Sequence, residues 1–521
     1  MDWTLRTVDP ALARAWIASG WWTDDTLGRL LVDGLAAHEK LPFTIGSQLR
    51  PYAGTLGAVR RDALRLAAGL HAQGVGPGSI VSFHLPNWIE AAHVFDAAAA
   101  LGATVVPIVH FYGAKEVGYI LGRTPPDAYV TFDSFGPLSG AATLEAAVAA
   151  GAPEPPRVAI VGGPDTIASW YADEPLAGPV PTDPSAPALV AYTSGTTASP
   201  KGVIHSHRTI GFESRQLAAA MPAQALPNIV GAPVGHGIGM LAALLTPVVQ
   251  GKAIHLVDVW DPAAILAQMA ERTLNSGTGA TFFLTSLLDH PDFDPAVHAP
   301  LMSHIGLGGS AVPVAVGERA AALGISTVRM YGSTEHPSTT GCTHDDPEPK
   351  RHATDGRPLP GVEIRLAGDG EIFSRGPDCF MGYTDPALTA EVFDDGWYRT
   401  EDIGIVDDDG YMSITDRVKD VIIRGGENIS ASEVEEVLAH MPGVLEVAVV
   451  AAPDARLGEH ACAFVRGAVP SLVAVRDAMA AAGLAKQKWP EEVRAIDEFP
   501  RTPSGKVQKF ALRQQLRDEA R

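Results

Sequence analysis

The stretch TSGTTASPKG, residues 193–202, has the makings of a phosphate loop but breaks the usual order. A nucleotidase loop of the form G-x-x-x-x-G-K-[ST] sets glycine before its lysine and a hydroxyl after it. Here Pro200 precedes Lys201 and Gly202 follows it. Thr193, Ser194, Thr196 and Thr197, with Gly195 among them, offer hydroxyls and open backbone N–H groups to phosphate oxygens. Lys201 adds a point charge. Pro200 stiffens the approach, so the loop is expected to move as a flap and not to wrap a phosphate ahead of a helix. Taken alone, a Ser/Thr-rich turn fits the same letters.

Working outward, LVAYTSG (189–195) reads as a buried strand feeding the loop. The Pro-rich run GPVPTDPSAPA (178–188) before it reads as an exposed connector. Further upstream, helical and strand patterns alternate. RRDALRLAAGLHAQGV (60–75) is a helix, SIVSFHL (79–85) a strand, WIEAAHVFDAAAALGA (88–103) a helix and TVVPI (104–108) a strand. AKEVGYILGRT (114–124) and DAYVTF (127–132) repeat the cycle. This rhythm predicts an α/β fold with a mostly parallel sheet covered by helices. From 360 to 416 it gives way to short strands and turns, which predict a small β-barrel or sandwich. After DRVKD (416–420) a mixed unit begins, with helices at SASEVEEVLAHM and SLVAVRDAMAAAG, a strand at VLEVAVVAA, and a basic tail.

A chain of 521 residues is too long for one core, so two or more domains are expected. The net charge of -21 argues against a nucleic-acid partner, because phosphate backbones are bound by clustered Lys and Arg. Cys342, Cys379 and Cys462 show no metal-ligand spacing and read as buried reduced thiols of a cytoplasmic protein. The start, MDWTLRTVDP, has no basic and apolar leader pattern, and no run is long and apolar enough to span a bilayer. AWIASGWW (15–22) fits a packing anchor or a peripheral membrane contact.

Four further segments add chemistry. YGSTEHPSTTG (331–341) supplies Tyr331, whose face can stack on a purine, and Glu335, a carboxylate able to ligate magnesium. GWYRTEDIG (396–404) carries Asp402, an acceptor for two ribose hydroxyls. DRVKDVIIRGGENISASEVEEVL (416–438) brings Arg417, then a glycine pair, then a helix opened by Ser430 or Ser432. PRTPSGKVQK (500–509) presents Lys506 on a turn. Each alone fits a turn, a capped helix or a solvated tail; their joint occurrence in this order does not.

In YTSGTTASPKG, GLGGSAVP, YGSTE, GRPLPGVEIR, SRGP…GY, GWYRTED, DRVKDVIIRGGENIS and PRTPSGK the chain resembles the adenylate-forming superfamily, nearest its acyl-CoA synthetase (fatty-acid–CoA ligase) branch, over about residues 50 to 510. The resemblance implies a large domain of mixed sheets flanked by helices over 1–417, with the β-barrel subdomain at about 342–416, and a small mobile α+β domain over 418–521. It implies two half-reactions. A carboxylate attacks the α-phosphate of Mg-ATP to give acyl-AMP and pyrophosphate; the thiol of coenzyme A then displaces AMP. By resemblance, Thr193 to Lys201 handle the departing phosphates, and Thr196 and Glu335 hold Mg2+. Tyr331, with Gly332 beside it, stacks on adenine, and Thr334 bonds the α-phosphate. Gly308, Gly309 and Ser310 line the adenine and acyl site. Asp402 and Arg417 hold the nucleotide, and Lys506 bridges carboxylate and α-phosphate. Lys419 is the hinge on which the small domain turns, bringing Arg424, Gly425 and Gly426 to the coenzyme A path. Ala198 and Ser333 depart from common family residues without removing a charge.

Peptide-synthetase adenylation domains hold the substrate amino group with an acid near the segment matching PVGHGIGM (233–240); here stands His236. A medium- or long-chain fatty acid, or a hydrophobic alicyclic or aromatic acid, is expected. Gly235, Gly237 and Gly239 are expected to leave room beside His236, and His336 to shape the acyl pocket. No carrier domain follows Arg521, so the thiol acceptor is expected from outside. The alternatives are a fatty acyl-AMP ligase loading a carrier protein, a P-loop phosphotransferase, and a non-catalytic nucleotide-binding relative. Monomer and homodimer both remain open.

Overall fold

The computed structural model describes residues 3–163, 166–193, 200–222, 224–277, 279–309, 312–417, 420–424, 427–454, 456–502 and 506–519, backbone only at 427 and 428. Strands Ile80–Leu85, Thr104–Val109 and Ala128–Phe132 are buried along their whole length. Strands covered on both faces need no polar alternation, which is why they read as continuous apolar runs. They centre a seven-stranded sheet of order Gly382–Tyr383, Gly202–Ser206, Pro187–Tyr192, Thr104–Val109, Ile80–Leu85, Ala128–Phe132, Val158–Val161. The strands from Pro187–Tyr192 onward are parallel, and the first two pair antiparallel at the edge. The helices expected between 60 and 124 are Leu56–Ala72, Ile89–Ala100 and Ala114–Arg123. Ile89–Ala100 is buried on nearly every side, which its alanines permit.

Two four-stranded sheets flank this core. One joins Tyr52–Thr55, Pro42–Gly46, Ile254–Val257 and Ile229–Val230; the other joins Ile305–Gly308, Thr327–Tyr331, Thr340–Gly341 and Arg357–Pro358. The subdomain expected over about 342–416 takes the form of a five-stranded antiparallel sheet, Glu363–Leu366, Glu371–Arg375, Trp397–Val406 and Phe393–Asp394, with Met412–Arg417 also on Trp397–Val406. Bonds from Asp355 N–H to Met412 O (2.7 Å) and Met412 N–H to Gly356 O (2.8 Å) tie it to its neighbour.

The separate C-terminal domain has its own five-stranded sheet, built on Val444–Asp454 and Gly458–Gly467. Period-two alternation sends Val449, Ala461 and Ala463 to one core, with Val434, Leu438, Val475 and Met479. Ala448, Val450, Cys462 and Phe464 go to the other, with Leu512 and Leu516. The expected basic tail is therefore largely a packed helix, Lys509–Glu519. Within AWIASGWW two tryptophans pack inward, while Ile17 is exposed. Trp16 and Trp22 are buried edge to face at 4.8 Å, and the Trp22 indole N–H donates to Pro377 O at 2.9 Å. Cys342, Cys379 and Cys462 are buried and free. No helix among the described residues is long and apolar enough to cross a membrane.

Candidate active site

The opening loop joins two antiparallel strands, with Tyr192 opposite Gly202. Its base is closed by Thr193 N–H to Lys201 O (3.0 Å) and Lys201 N–H to Thr193 Oγ1 (3.3 Å). A strand–loop–strand hairpin cannot aim a helix N-terminus at phosphate, as a Walker loop does. Ser194, Gly195, Thr196 and Thr197 lie outside the described residues. The Lys201 ammonium stands 5.2 Å from the centre of the Tyr383 ring. Tyr383 OH donates to Glu335 Oε1 at 2.8 Å. Burial, then the Glu335 carboxylate, raise the Tyr383 phenol far above its ordinary range, so it stays a neutral donor. Tyr383 thus links the phosphate lysine to the candidate metal carboxylate. Its sequence signal was the GY that closes SRGP…GY, to which no role was attached.

The strand Thr327–Tyr331 runs into a tight turn that carries Thr334 and Glu335. A methyl group at Gly332 would stand 1.9 Å from Pro337 O, so only glycine allows the turn to close. Three side chains hold this turn from beneath. His205 Nε2 lies 2.8 Å from Thr334 O, and burial lowers that imidazole to about 4, leaving a neutral donor. Ser338 Oγ donates to Glu213 Oε1 at 2.6 Å. Burial first, then Asp378, push the Glu213 carboxyl up to about 8. The third is His336, where the acyl-pocket expectation needs correction. It is 1 % exposed, with Nδ1 2.8 Å from Ser374 Oγ and Nε2 3.3 Å from Asp378 Oδ1. Its Nδ1 finds a buried partner in Ser374, so the ring is packed inward and not open to a pocket.

Asp402 and Arg417 face each other across paired strands, and Arg417 Nε lies 2.7 Å from Asp402 Oδ1. Tyr331 OH donates to Asp402 Oδ2 at 2.7 Å, which fixes the aromatic ring beside the ribose-type carboxylate. Asp402 is aimed by irregularity. Its strand bulges against Glu371–Arg375, and Glu401 adopts a left-handed backbone at φ 60°. Bulges and such conformers re-aim side chains near functional sites. The Asp402 charge raises Arg417 above its ordinary value, so the guanidinium stays charged.

Lys506 arrives from the C-terminal domain on a hairpin closed by Thr502 N–H to Lys506 O (2.7 Å) and Lys506 N–H to Thr502 Oγ1 (3.1 Å). Its Cε lies 3.7 Å from where a methyl group at Gly309 would stand. Gly309 has φ +80°, a left-handed turn that favours glycine, and Ile238 Cδ1 covers it from the other side at 2.9 Å from the same point. Burial, then the nearby Arg417 charge, push the Lys506 ammonium down to about 8, against the pull of Asp402 and Glu335. His236 caps the helix Gly237–Met240, its Nδ1 accepting from Ile238 N–H at 3.4 Å. Burial and Lys506 lower it to about 4, so it is a neutral wall. Lys506, Glu335, Asp402, Arg417, Gly309 and His236 thus converge from strands and turns more than 250 residues apart.

The expected room beside His236 needs correction. A methyl group at Gly235 would stand 2.6 Å from Ile108 O, and one at Gly239 2.0 Å from Pro233 O. Those glycines permit backbone contact; Gly237 alone of the three has open space. Gly308 is likewise pressed on Met330 O, at 2.7 Å. Gly239→Ala is therefore expected to destabilise the protein by about 1–3 kcal/mol through overpacking, while Gly237→Ala leaves the thermal midpoint within about a degree of the parent. Thermal unfolding of both variants checks this.

Ser310, Lys419, Gly425 and Gly426 lie outside the described residues. Arg424 is drawn to Glu491 within the C-terminal domain, Nε to Oε1 at 2.6 Å, and joins none of the nucleotide-site groups. Among the described residues no three His, Cys, Asp or Glu side chains form a metal cluster. Glu335 is a hard oxygen donor with one oxygen already bonded to Tyr383. That donor set fits Mg2+, which keeps waters and binds through one or two carboxylates plus substrate phosphates.

Residues 50–384 match the family model described as AMP-binding enzyme, and residues 433–506 its C-terminal domain. The chain is 33% identical over 492 residues to a medium-chain fatty-acid–CoA ligase of Escherichia coli K12, covering 89% of this chain and 86% of that one. It is 35% identical over 477 residues to a 3-[(3aS,4S,7aS)-7a-methyl-1,5-dioxo-octahydro-1H-inden-4-yl]propanoyl:CoA ligase of Rhodococcus jostii RHA1, covering 86% and 91%. The crystal structure of ATP-bound MatB from Rhodopseudomonas palustris superposes with a TM-score of 0.82 at 26% identity, covering 95% and 100%. The chain belongs to the AMP-binding enzyme family, within the adenylate-forming acyl-CoA synthetase superfamily.

Proposed function

We propose that this ligase activates a hydrophobic carboxylic acid, a medium- or long-chain fatty acid or an alicyclic or aromatic one, as acyl-AMP and passes it to coenzyme A. The observation that carries the reading is the placement of Lys506. It stands against the Gly309 turn, under the charges of Arg417, Asp402 and Glu335, beside neutral His236. Two anions must meet for a carboxylate to attack an α-phosphate, and an ammonium between them lowers their repulsion. Among the described residues the charge that shifts His236 is that of Lys506. A substrate ammonium would find no partner there, whereas an alkyl or aryl group meets Ile238 and an uncharged imidazole.

Asp402 is assigned to the ribose, Arg417 to a second nucleotide contact, Tyr331 to the adenine, and Thr193, Thr334 and Lys201 to the phosphates. Glu335 would hold magnesium with Thr196; the ion supplies charge neutralisation at the phosphates when bound. Tyr383 orients Glu335, and His205 orients the Thr334 carbonyl. The division into 1–417 and 418–521, with the hinge at Lys419 and coenzyme A entering past Arg424, Gly425 and Gly426, belongs to the same proposal. The gap between the two family matches, 384 to 433, supports it. Three buried free thiols support a cytoplasmic setting.

Acid-dependent ATP–pyrophosphate exchange tests the reading, with a panel of C6–C18 fatty acids, alicyclic and aryl acids and amino acids, followed by thioester formation with coenzyme A. Exchange with amino acids alone, or release of phosphate in place of pyrophosphate, would refute it. A pH profile adds a second check. Lys506 must carry its proton to bridge the anions, and it loses that proton as pH rises through about 8. kcat/KM for acid activation, which reports the free enzyme, is therefore expected to be flat below about 7.5 and to fall about tenfold per unit above about 8.5. His236 is already neutral there and contributes no limb. A profile unchanged from pH 7 to 10 would contradict the assignment.

A further inference from the structure

We propose that Phe282 is a positioning residue for Lys506, acting through a cation–π contact with Arg501. The inference rests on the assignment of Lys506 to acid activation. Lys506 is delivered on a short hairpin whose closing bridge pairs Arg501 with Val507. Arg501 is therefore the base of the arm that carries the lysine, and whatever holds Arg501 holds the arm. Among the groups that hold it are two from opposite domains. Glu446 of the C-terminal sheet takes Arg501 Nη2 at 2.6 and 2.5 Å through its two oxygens. Phe282 of the large domain lies under the guanidinium, 5.5 Å from carbon to ring centre. A planar guanidinium can give its edge to a carboxylate and its face to a ring at once, which an ammonium cannot.

The ring is well placed for this work. Phe282 sits on the helix Thr281–Leu288, which buries Leu284, Leu287 and Leu288 in the core. Its neighbour Phe283 packs edge to face on Trp260 at 4.7 Å, so the helix does not depend on Phe282 for its seat. The helix start is tied to the strand Ile305–Gly308, just before Gly309, by Gly279 N–H to Gly306 O and Gly308 N–H to Gly279 O, both 3.1 Å. Phe282 and Gly309 thus belong to one block, and the block meets both Arg501 at the base of the arm and the Lys506 side chain. Two other cross-domain contacts, Val314 N–H to Glu436 Oε1 at 3.3 Å and His440 Nε2 to Glu318 Oε2 at 3.9 Å, reach a different helix of the C-terminal domain. They dock the domain but do not touch the arm.

The test compares Phe282→Leu, Phe282→Tyr, Arg501→Met and the Phe282→Leu/Arg501→Met double variant in acid-dependent ATP–pyrophosphate exchange. Transfer of a supplied acyl-adenylate to coenzyme A is measured in parallel. Phe282→Leu keeps apolar bulk but loses the ring face, and is expected to lower kcat of exchange about two- to fivefold with KM for ATP unchanged. Phe282→Tyr keeps the ring and is expected to match the parent. In the Arg501→Met background Phe282→Leu should cost nothing more, and transfer should be unchanged throughout. Equal losses for Leu and Tyr, additive losses in the double variant, or parallel loss of transfer would each overturn the inference while the parent's activity left the functional reading standing. A parent without acid-dependent exchange would overturn both.

Discussion

Lys506→Ala is expected to lower acid-dependent ATP–pyrophosphate exchange by about a hundred- to a thousandfold, the range for removing one charge-stabilising donor at a transition state. The carboxylate and the α-phosphate repel, and in the proposed reading Lys506, against the Gly309 turn and under the fields of Glu335 and Asp402, is the cation between them. Removing its charge restores the repulsion only when the two anions are in contact, so kcat should fall more than ATP affinity. Formation of the thioester from a supplied acyl-adenylate has no such pair of anions and should persist at nearly the parent rate. Measuring the two half-reactions separately on the same preparation decides the matter. Equal loss in both would mean that the substitution acts on folding or on domain docking. Folding is guarded because Lys506 belongs to neither C-terminal core.

Asp402→Asn should raise KM for ATP about ten- to a hundredfold while KM for the acid stays within about twofold. A carboxylate bonded to charged or hydroxyl donors contributes about 1.5–3 kcal/mol per bond, and Asp402 gathers both Arg417 and Tyr331 at 2.7 Å. Neutralising it weakens the anchor for the ribose and releases the ring assigned to adenine in one step. Arg417 is 46 % exposed, so its freed guanidinium can hydrate and the fold should survive. Direct nucleotide binding by calorimetry separates this from a catalytic effect. Unchanged ATP affinity would remove Asp402 from the nucleotide site.

Much of this was legible in the letters. The β-α rhythm from 60 to 132 gave strands and helices within a few residues of those observed, because strands covered on both faces and helices on an alanine frame have unmistakable patterns. The proline before Lys201 led to the expectation of a flap in place of a strand–helix phosphate loop, and the loop's flanking strands pair as a hairpin. The family motifs named Lys201, Thr334, Glu335, Asp402, Arg417 and Lys506 in advance, and Glu335, Asp402, Arg417 and Lys506 share one electrostatic neighbourhood. Glycine was the weaker guide. Gly235 and Gly239 looked like space for a substrate and are points of backbone contact instead, since a missing side chain serves a cavity and a close approach equally well in sequence.

The sequence alone determined the chemistry that the chain can offer: the charged, hydroxyl and aromatic groups, their order, and the local elements that present them. Those depend on spacing and propensity, which act over a few residues. Only the tertiary structure decided which groups work together. Tyr383 under Lys201 and against Glu335, His205 and Glu213 beneath the Thr334 turn, His336 turned inward, and Phe282 under Arg501 are all contacts between segments far apart in the chain. Such contacts follow from how whole sheets and domains pack, and a buried polar group takes whichever partner that packing delivers.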